Sequence, residues 1–195
     1  MSSTFATVED SNTKIAPTLN PGRITPKVLN RWERACLKYF RVKDVPEEKQ
    51  VWAILSRLKD LYIADWAQAN EETLIGLDFA AFMIKLWDEA LEKHWDRKIK
   101  LAIISSKQGE RPFHEWFYEL QNCNVLLRGR SYHLGNKALR EVLENNMDDE
   151  LELRVRGKVL PEDISLRDWV DAAKMEDTVM GREKDRARDL ARDTH

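Results

Sequence analysis

The sequence predicts an all-α fold, and three observations predict it. Apolar residues return at three- and four-residue steps along most of the chain, the period of an amphipathic helix. Sustained alternation and Asn-Gly or Asp-Gly hairpin turns are absent, which leaves strands little to start from. Seven glycines and six prolines in 195 residues are few, and they stand where helices would begin or end. Apolar residues make up 43% of the chain and include seven tryptophans, enough bulk for a core.

The elements follow in order. Residues 1–24 are rich in Ser, Thr, Asn and Pro without periodicity, and PTLNPG at 17–22 is turn-like; they read as a disordered arm. Thr25-Pro26 then has the form of an N-cap with proline at the first helical position. Behind it Val28, Leu29, Trp32, Ala35, Cys36, Tyr39 and Phe40 form a helical stripe. Pro46 opens a second helix, with Glu47 and Glu48 placed to favour its dipole and an apolar face of Val51, Trp52, Ile54, Leu55 and Leu58. Leu61, Tyr62, Ile63 and Trp66 continue as a third after a bend near Lys59-Asp60.

Asp78 is a cap for a helix carrying Phe79, Phe82, Met83, Leu86 and Trp87, and a new stripe runs from Trp95 through Ile99, Ala102 and Ile103. Leu134, Leu139, Val142, Leu143 and Met147 predict another helix, and Leu151, Leu153 and Val155 a short one. Gly157 and Pro161 interrupt the chain before Ser165, which caps a helix bearing Leu166, Trp169, Val170 and Ala173. The total is eight to ten helices with no internal repeat of solenoid length. Lys174 to His195 carry six basic and six acidic side chains, a solvated, frayed helix or tail.

Composition narrows the function. Lys plus Arg number 32 against 34 Asp plus Glu, so the net charge does not ask for a nucleic-acid partner. Cys36 and Cys123 give neither a disulfide framework nor a CxxC metal half-site. MSSTFATVED lacks the pattern of a signal peptide, and no apolar run has membrane-spanning length. These features predict a soluble, cytoplasmic protein.

No phosphate loop, GxGxxG, GxSxG or HExxH occurs. His94, His114, His133 and His195 are scattered. His94 with Asp96, or His114 with Glu115, would form an acid–base pair only with help from other elements, since near neighbours on a helix face apart. A helix-turn-helix reading would need a basic recognition helix; only 27–43 approaches one, and its Trp32, Cys36 and Tyr39 suit a core better. The expectation is therefore no enzyme, no cofactor, no metal and no small-molecule substrate.

The stretch SSKQGERPFHEWFYEL at 105–120 carries the most information. Gly109 can adopt the left-handed conformation that ends a helix, and Pro112 can open the next. Phe113, Trp116, Phe117 and Leu120 then fall at i, i+3, i+4 and i+7, one buried face. Gln108 lies in the turn, where its amide can tie together orphan backbone groups of the two flanking helix ends. The turn reads as a fixed elbow with aromatic anchors.

With its surroundings this stretch resembles the capsid region of Gag proteins from gypsy-type long-terminal-repeat retrotransposons, notably the fungal forms. Phe79-x-x-Phe82 with Leu86-Trp87 resembles that family's F-x-x-F helix. A Trp95 helix, the Gln108 turn and the Phe113, Trp116, Leu120 helix follow in the family's order. Asn124-x-x-Leu127, Leu139-Arg140 and Met147-x-x-x-Leu151-x-x-Arg154 then resemble its ending. The likeness spans roughly 25–175. The retroviral major homology region, Q-G-x-x-E-x-x-x-x-F-x-x-R, is matched at Gln108, Gly109 and Phe117, while Pro112 and Leu120 replace its Glu and Arg.

The resemblance implies an N-terminal capsid-like domain over 25–92 and a C-terminal one over 93–176; composition leaves a charged tail over 177–195. It implies a structural protein whose partner is itself, assembling into capsid-type oligomers around RNA. The zinc knuckle through which Gag binds RNA has no counterpart in this sequence, nor is there a basic tail.

One charge pattern fits self-association. Lys27, Arg31, Arg34, Lys38, Arg41 and Lys43 stand against only Glu33 and Asp44 in 27–44, whereas 141–152 holds Glu141, Glu144, Asp148, Asp149, Glu150 and Glu152. Opposite patches on one molecule can steer head-to-tail contact. The alternative function is a monomeric, domesticated helical module that holds a partner's peptide in a groove.

Overall fold

The computed structural model describes residues 5–12 and 14–193. It is mostly helical, with two compact units, Met1–Trp95 and Asp96–His195. The first contains β1 (Val8–Glu9), β2 (Thr18–Leu19), α1 (Pro26–Lys43), α2 (Glu47–Leu55), α3 (Leu61–Ala69), α4 (Glu71–Ile75) and α5 (Phe79–Ala90). α6 (Trp95–Ser105) starts at its last residue. α7 (Phe113–Leu126), α8 (Asn136–Asn146), α9 (Asp149–Arg156) and α10 (Leu166–Asp193) complete the second. Among the described residues no helix is long and apolar enough to cross a membrane.

Short polar side chains start many of these helices by satisfying free N–H groups of the first turn. Thr25 Oγ1 accepts from Val28 N–H at 3.3 Å, ahead of Pro26, whose ring needs no partner there. Asp78 Oδ1 accepts from Ala81 N–H at 2.7 Å. Asp60, expected only as a bend, caps α3 through Ile63 N–H at 3.3 Å. Ser165 accepts from Asp168 N–H at 3.1 Å and donates to the Asp168 carboxylate at 2.7 Å. Each such cap is worth about 1 kcal/mol.

The stripe of α1 closes on α5. Leu29, Trp32, Cys36 and Phe40 are buried, as are Phe79, Phe82, Met83, Leu86 and Trp87. Phe40 meets Phe79 edge-on at 5.0 Å, the arrangement favoured by aromatic quadrupoles. Burial pushes the Cys36 thiol up, with Glu33 nearby adding to the effect; this cysteine packs as a small hydrophobe.

Three expectations need correction. The N-terminal arm is folded over its described residues: β1 and β2 pair antiparallel, Val8 opposite Leu19, and Ala6, Val8, Ala16 and Leu19 are buried. Leu19 N–H donates to Arg57 O, and Lys59 N–H to Leu19 O, both at 2.9 Å. Trp32 Nε1–H donates to Pro17 O at 3.1 Å. Two-residue strands joined by a loop leave no period in a sequence, so composition alone misread them.

On α2 and α3, Trp52 (67% exposed), Leu61 (79%) and Tyr62 (64%) point to solvent and do not join the core. Successive residues of a helix turn by about 100°, and Val51, Ile54 and Ile63 already fill the inward positions.

Of the helix or tail expected from Lys174, the structure has the helix: the segment from 177 is the second half of α10, 28 residues long, and it is held to its unit, not frayed. Its charges are used in pairs: Glu183 with Arg154 at 2.6 Å and Lys184 with Glu150 at 3.3 Å. Arg154 holds the Glu183 carboxyl below the usual range. Met180 is buried, so the core of this unit extends beyond 176.

Candidate functional site

The Gln108 turn lies between α6 and α7. Gln108 is 2% exposed, and each of its polar groups has a partner. Its Oε1 accepts from Asp148 N–H at 3.0 Å. Its Nε2 donates to Arg111 O at 3.0 Å and to Asp177 Oδ1 at 3.4 Å. Its backbone N–H donates to Asn146 O at 3.0 Å.

The side chain therefore does not tie together the ends of α6 and α7, as expected from sequence. It fastens the turn to the α8–α9 junction and to α10. Asp148 is the cap of α9, its Oδ1 accepting from Glu150 N–H at 3.0 Å and Leu151 N–H at 3.1 Å. One buried glutamine, through its side-chain amide and its backbone N–H, thus links the turn to α8, α9 and α10.

Gly109 has φ of +61°, the left-handed region glycine enters without cost. α6 ends earlier, at Ser105, so Gly109 shapes the loop after the helix and is not its terminator. No atom lies within 4 Å of where a Cβ would stand; glycine is used here for its dihedral, not for space. Arg111 completes the loop, its Nε–H donating to Gln108 O at 3.1 Å and its guanidinium pairing with Glu119.

Pro112 stands at the N-cap of α7 and has no side chain that can cap. α10 supplies the missing acceptor: Asp177 Oδ2 takes the Phe113 N–H at 2.9 Å. A carboxylate at this end also meets the positive pole of the helix dipole. Behind it Phe113, Trp116, Phe117 and Leu120 are all buried. Phe113 is within 6.4 Å of Phe117 and 6.2 Å of Trp169 between ring centres, and Trp116 Nε1–H donates to Ser106 Oγ at 2.9 Å.

Sequence reasoning missed Asp177, and it missed the roles of Asp148, named only within an acidic run, and of Asn124, named only within a family pattern. Asn124 is 6% exposed and holds the loop after α7, taking Leu134 N–H and giving to Leu134 O, both at 2.8 Å. A polar residue on an otherwise apolar helical face was the available signal for it. Asp148 followed by an acidic first turn was a cap signal, obscured by its reading as part of a charge run.

The two charge patches fare differently. Lys27, Arg31, Arg34 and Lys38 are exposed on α1, and Arg31 pairs with Asp10 at 3.0 Å. The acidic run is largely engaged within its own unit. Glu144 pairs with Arg140 at 2.7 Å, Glu150 with Arg154 at 2.8 Å, and Glu152 with Arg156, while Asp148 is a cap. Glu141 and Asp149 remain exposed.

The histidines do not converge. His94 is exposed at φ +62°, His114 lies 4.0 Å from Glu115, and His133 is 3.5 Å from Asn124; His195 lies outside the described residues. A cleft of about 460 Å³ runs beside α8, lined by Lys137, Arg140, Glu141, Glu162 and Ser165 among others. Among the described residues no group of three or more His, Cys, Asp or Glu is placed to hold a metal ion.

Comparison of the chain with protein-family models, with curated proteins and with solved structures gives no match.

Proposed function

We propose that this chain is a Gag-like structural protein that self-assembles into capsid-type oligomers around RNA, its two units acting as small N- and C-terminal capsid-like domains. The observation that carries the reading is the Gln108 elbow. A buried glutamine at the start of a Gln-Gly turn fastens the turn to three helices of one unit. It stands where the resemblance to capsid proteins puts a structural glutamine. Pro112 leaves the Glu of the family pattern unmatched, and in this chain the carboxylate beside the turn is that of Asp177 on α10.

In this reading the work is assembly, not chemistry, and the chain needs no cofactor. Weak contacts repeated around a ring add through multivalency, which demands subunits that keep their shape. The elbow provides that stiffness in the second unit. Trp52, Leu61 and Tyr62 on the first unit offer apolar surface for a neighbour to cover. They would equally serve the second reading, a monomeric domesticated module that holds a partner's peptide.

Light scattering behind size exclusion separates the two, on nuclease-treated protein at low and high salt with negative-stain microscopy of heavy fractions. Rings, shells or a ladder of oligomers are expected. A single species at the chain mass of 22.9 kDa under every condition would overturn assembly in favour of the peptide-binding module.

A further inference from the structure

The near-neutral balance of the whole chain conceals a segregated one on α1. Lys27, Arg31, Arg34, Lys38 and Arg41 follow one another at alternating four- and three-residue steps, and all five are exposed. At about 100° per residue they fall within an arc of about 80°. The buried Leu29, Trp32, Cys36 and Phe40 occupy the opposite side of the helix, so the cations form a straight ridge facing solvent. The ridge is about 21 Å long, with one cation per about 5 Å of rise. Arg31 is ion-paired with Asp10; among the described residues the other four have no ion pair. Glu33, the one acid within α1, lies off this arc. Burial raises its carboxyl and Trp87 hydrogen-bonds it.

We infer that this ridge binds the phosphate backbone of RNA without reading its sequence. The choice of polyanion rests on the proposed shell around RNA, and the inference names the face that touches it. A row of evenly spaced cations matches a polymer with evenly spaced anions, and binding is driven by release of the polymer's counterions. The 80° arc holds no aromatic side chain on which a base could stack.

Two other polyanionic surfaces fit less well. A basic amphipathic helix holds a bilayer by burying its apolar face in it, and the apolar face of α1 is already the protein core. A second copy would have to offer its 141–152 run, whose acids are mostly spent on Arg140, Arg154, Arg156 and the cap of α9.

The test is fluorescence anisotropy of a labelled oligo(U) of about 20 nucleotides, titrated from about 0.05 to 0.3 M KCl, with oligo(dT) alongside. The ridge variant is Lys27→Gln/Arg34→Gln/Lys38→Gln/Arg41→Gln. Its control is Lys49→Gln/Lys59→Gln/Lys85→Gln/Lys93→Gln, which removes the same charge from other exposed positions of the same unit. Circular dichroism and melting curves confirm that both fold. Lys38→Glu against Lys85→Glu repeats the comparison with a single change.

With four or five phosphates engaged, log K should fall against log salt with a slope of about −3. The ridge variant should bind at least about tenfold more weakly and lose most of that slope, while the control stays within about threefold. Oligo(dT) should bind like oligo(U), since the contact is to phosphate.

Equal losses in ridge variant and control, or undiminished binding by the ridge variant, would overturn the inference. A ridge variant that keeps oligo(U) but loses its oligomers would also overturn it, marking the ridge as a subunit contact. Ridge-dependent binding by a protein that never oligomerises would uphold the ridge and overturn the shell.

Discussion

The carboxylate of Asp177 caps a helix to which it does not belong. It accepts the N–H of Phe113 at 2.9 Å, and its other oxygen lies 3.4 Å from the Gln108 amide. Because Pro112 cannot cap α7, the start of that helix depends on a residue well inside α10.

Removing either partner should therefore loosen the same corner. Asp177→Ala is expected to cost about 1–2 kcal/mol through loss of the cap and of the dipole interaction. Gln108→Ala should cost about 1–3 kcal/mol by leaving Asp148 N–H, a part-buried donor, without its partner. Urea melts of both single variants and the double should show a coupling of at least about 0.5 kcal/mol. Simple additivity would mean that the 3.4 Å contact carries no energy.

Trp116 tests the aromatic anchor. It is fully buried, so Trp116→Ala should destabilise by about 3–5 kcal/mol. Trp116→Phe keeps much of the volume but leaves Ser106 Oγ without the indole donor, and should lose less. Near-equal denaturation midpoints for the two variants would contradict the packing described.

Gly109→Ala isolates backbone from packing. Nothing crowds the new methyl, so the expected loss of about 1–2 kcal/mol is that of an L-residue held in the left-handed region. Gly109→Asn should lose less, because asparagine visits that region more readily. A Gly109→Ala protein as stable as the parent would show that the loop relaxes to a different path.

Glu33 predicts a pH effect with a definite sign. Burial raises its folded pKa above the ordinary 4.5, against a smaller lowering by the Trp87 hydrogen bond. Below the ordinary value both folded and unfolded chains are protonated, and the group costs nothing. As pH rises through the folded pKa the carboxylate must form in a desolvated place, and stability falls to a plateau. Glu33→Gln keeps an acceptor for Trp87 and should melt higher than the parent at about pH 7, with the gap closing towards about pH 4. A gap that widens on acidification would reverse the assignment.

How much of this was legible depended on the range over which each residue acts. α1, α5 and α7 could be read directly, because a buried stripe repeats within one turn and Thr25, Asp78 and Pro112 mark the starts. The position of the Gln108 elbow was legible for the same reason. Its partners were not: Asp148 and Asp177 are distant in sequence, and each lies in a stretch whose charge density suggests solvent. Trp52 failed for the opposite reason, since a large apolar residue beside a stripe looks like a member of it. The basic cluster of α1 was legible in the spacing of 27, 31, 34, 38 and 41. Its fit to a polyanion was not, because the total charge is near neutral and the acidic 141–152 run suggested a second copy as its partner.

The docking of the N-terminal segment sets an order of events. The β1–β2 segment precedes its partners in the rest of the unit: Trp32, which donates to Pro17 O, and Arg57 and Lys59, which close around Leu19. During synthesis, when domains fold as the chain emerges, this hairpin must wait with Leu19 uncovered until the turn after α2 has appeared. The first unit cannot be completed from its beginning forwards. The β1–β2 segment docks onto residues made after it, no earlier than the emergence of Lys59.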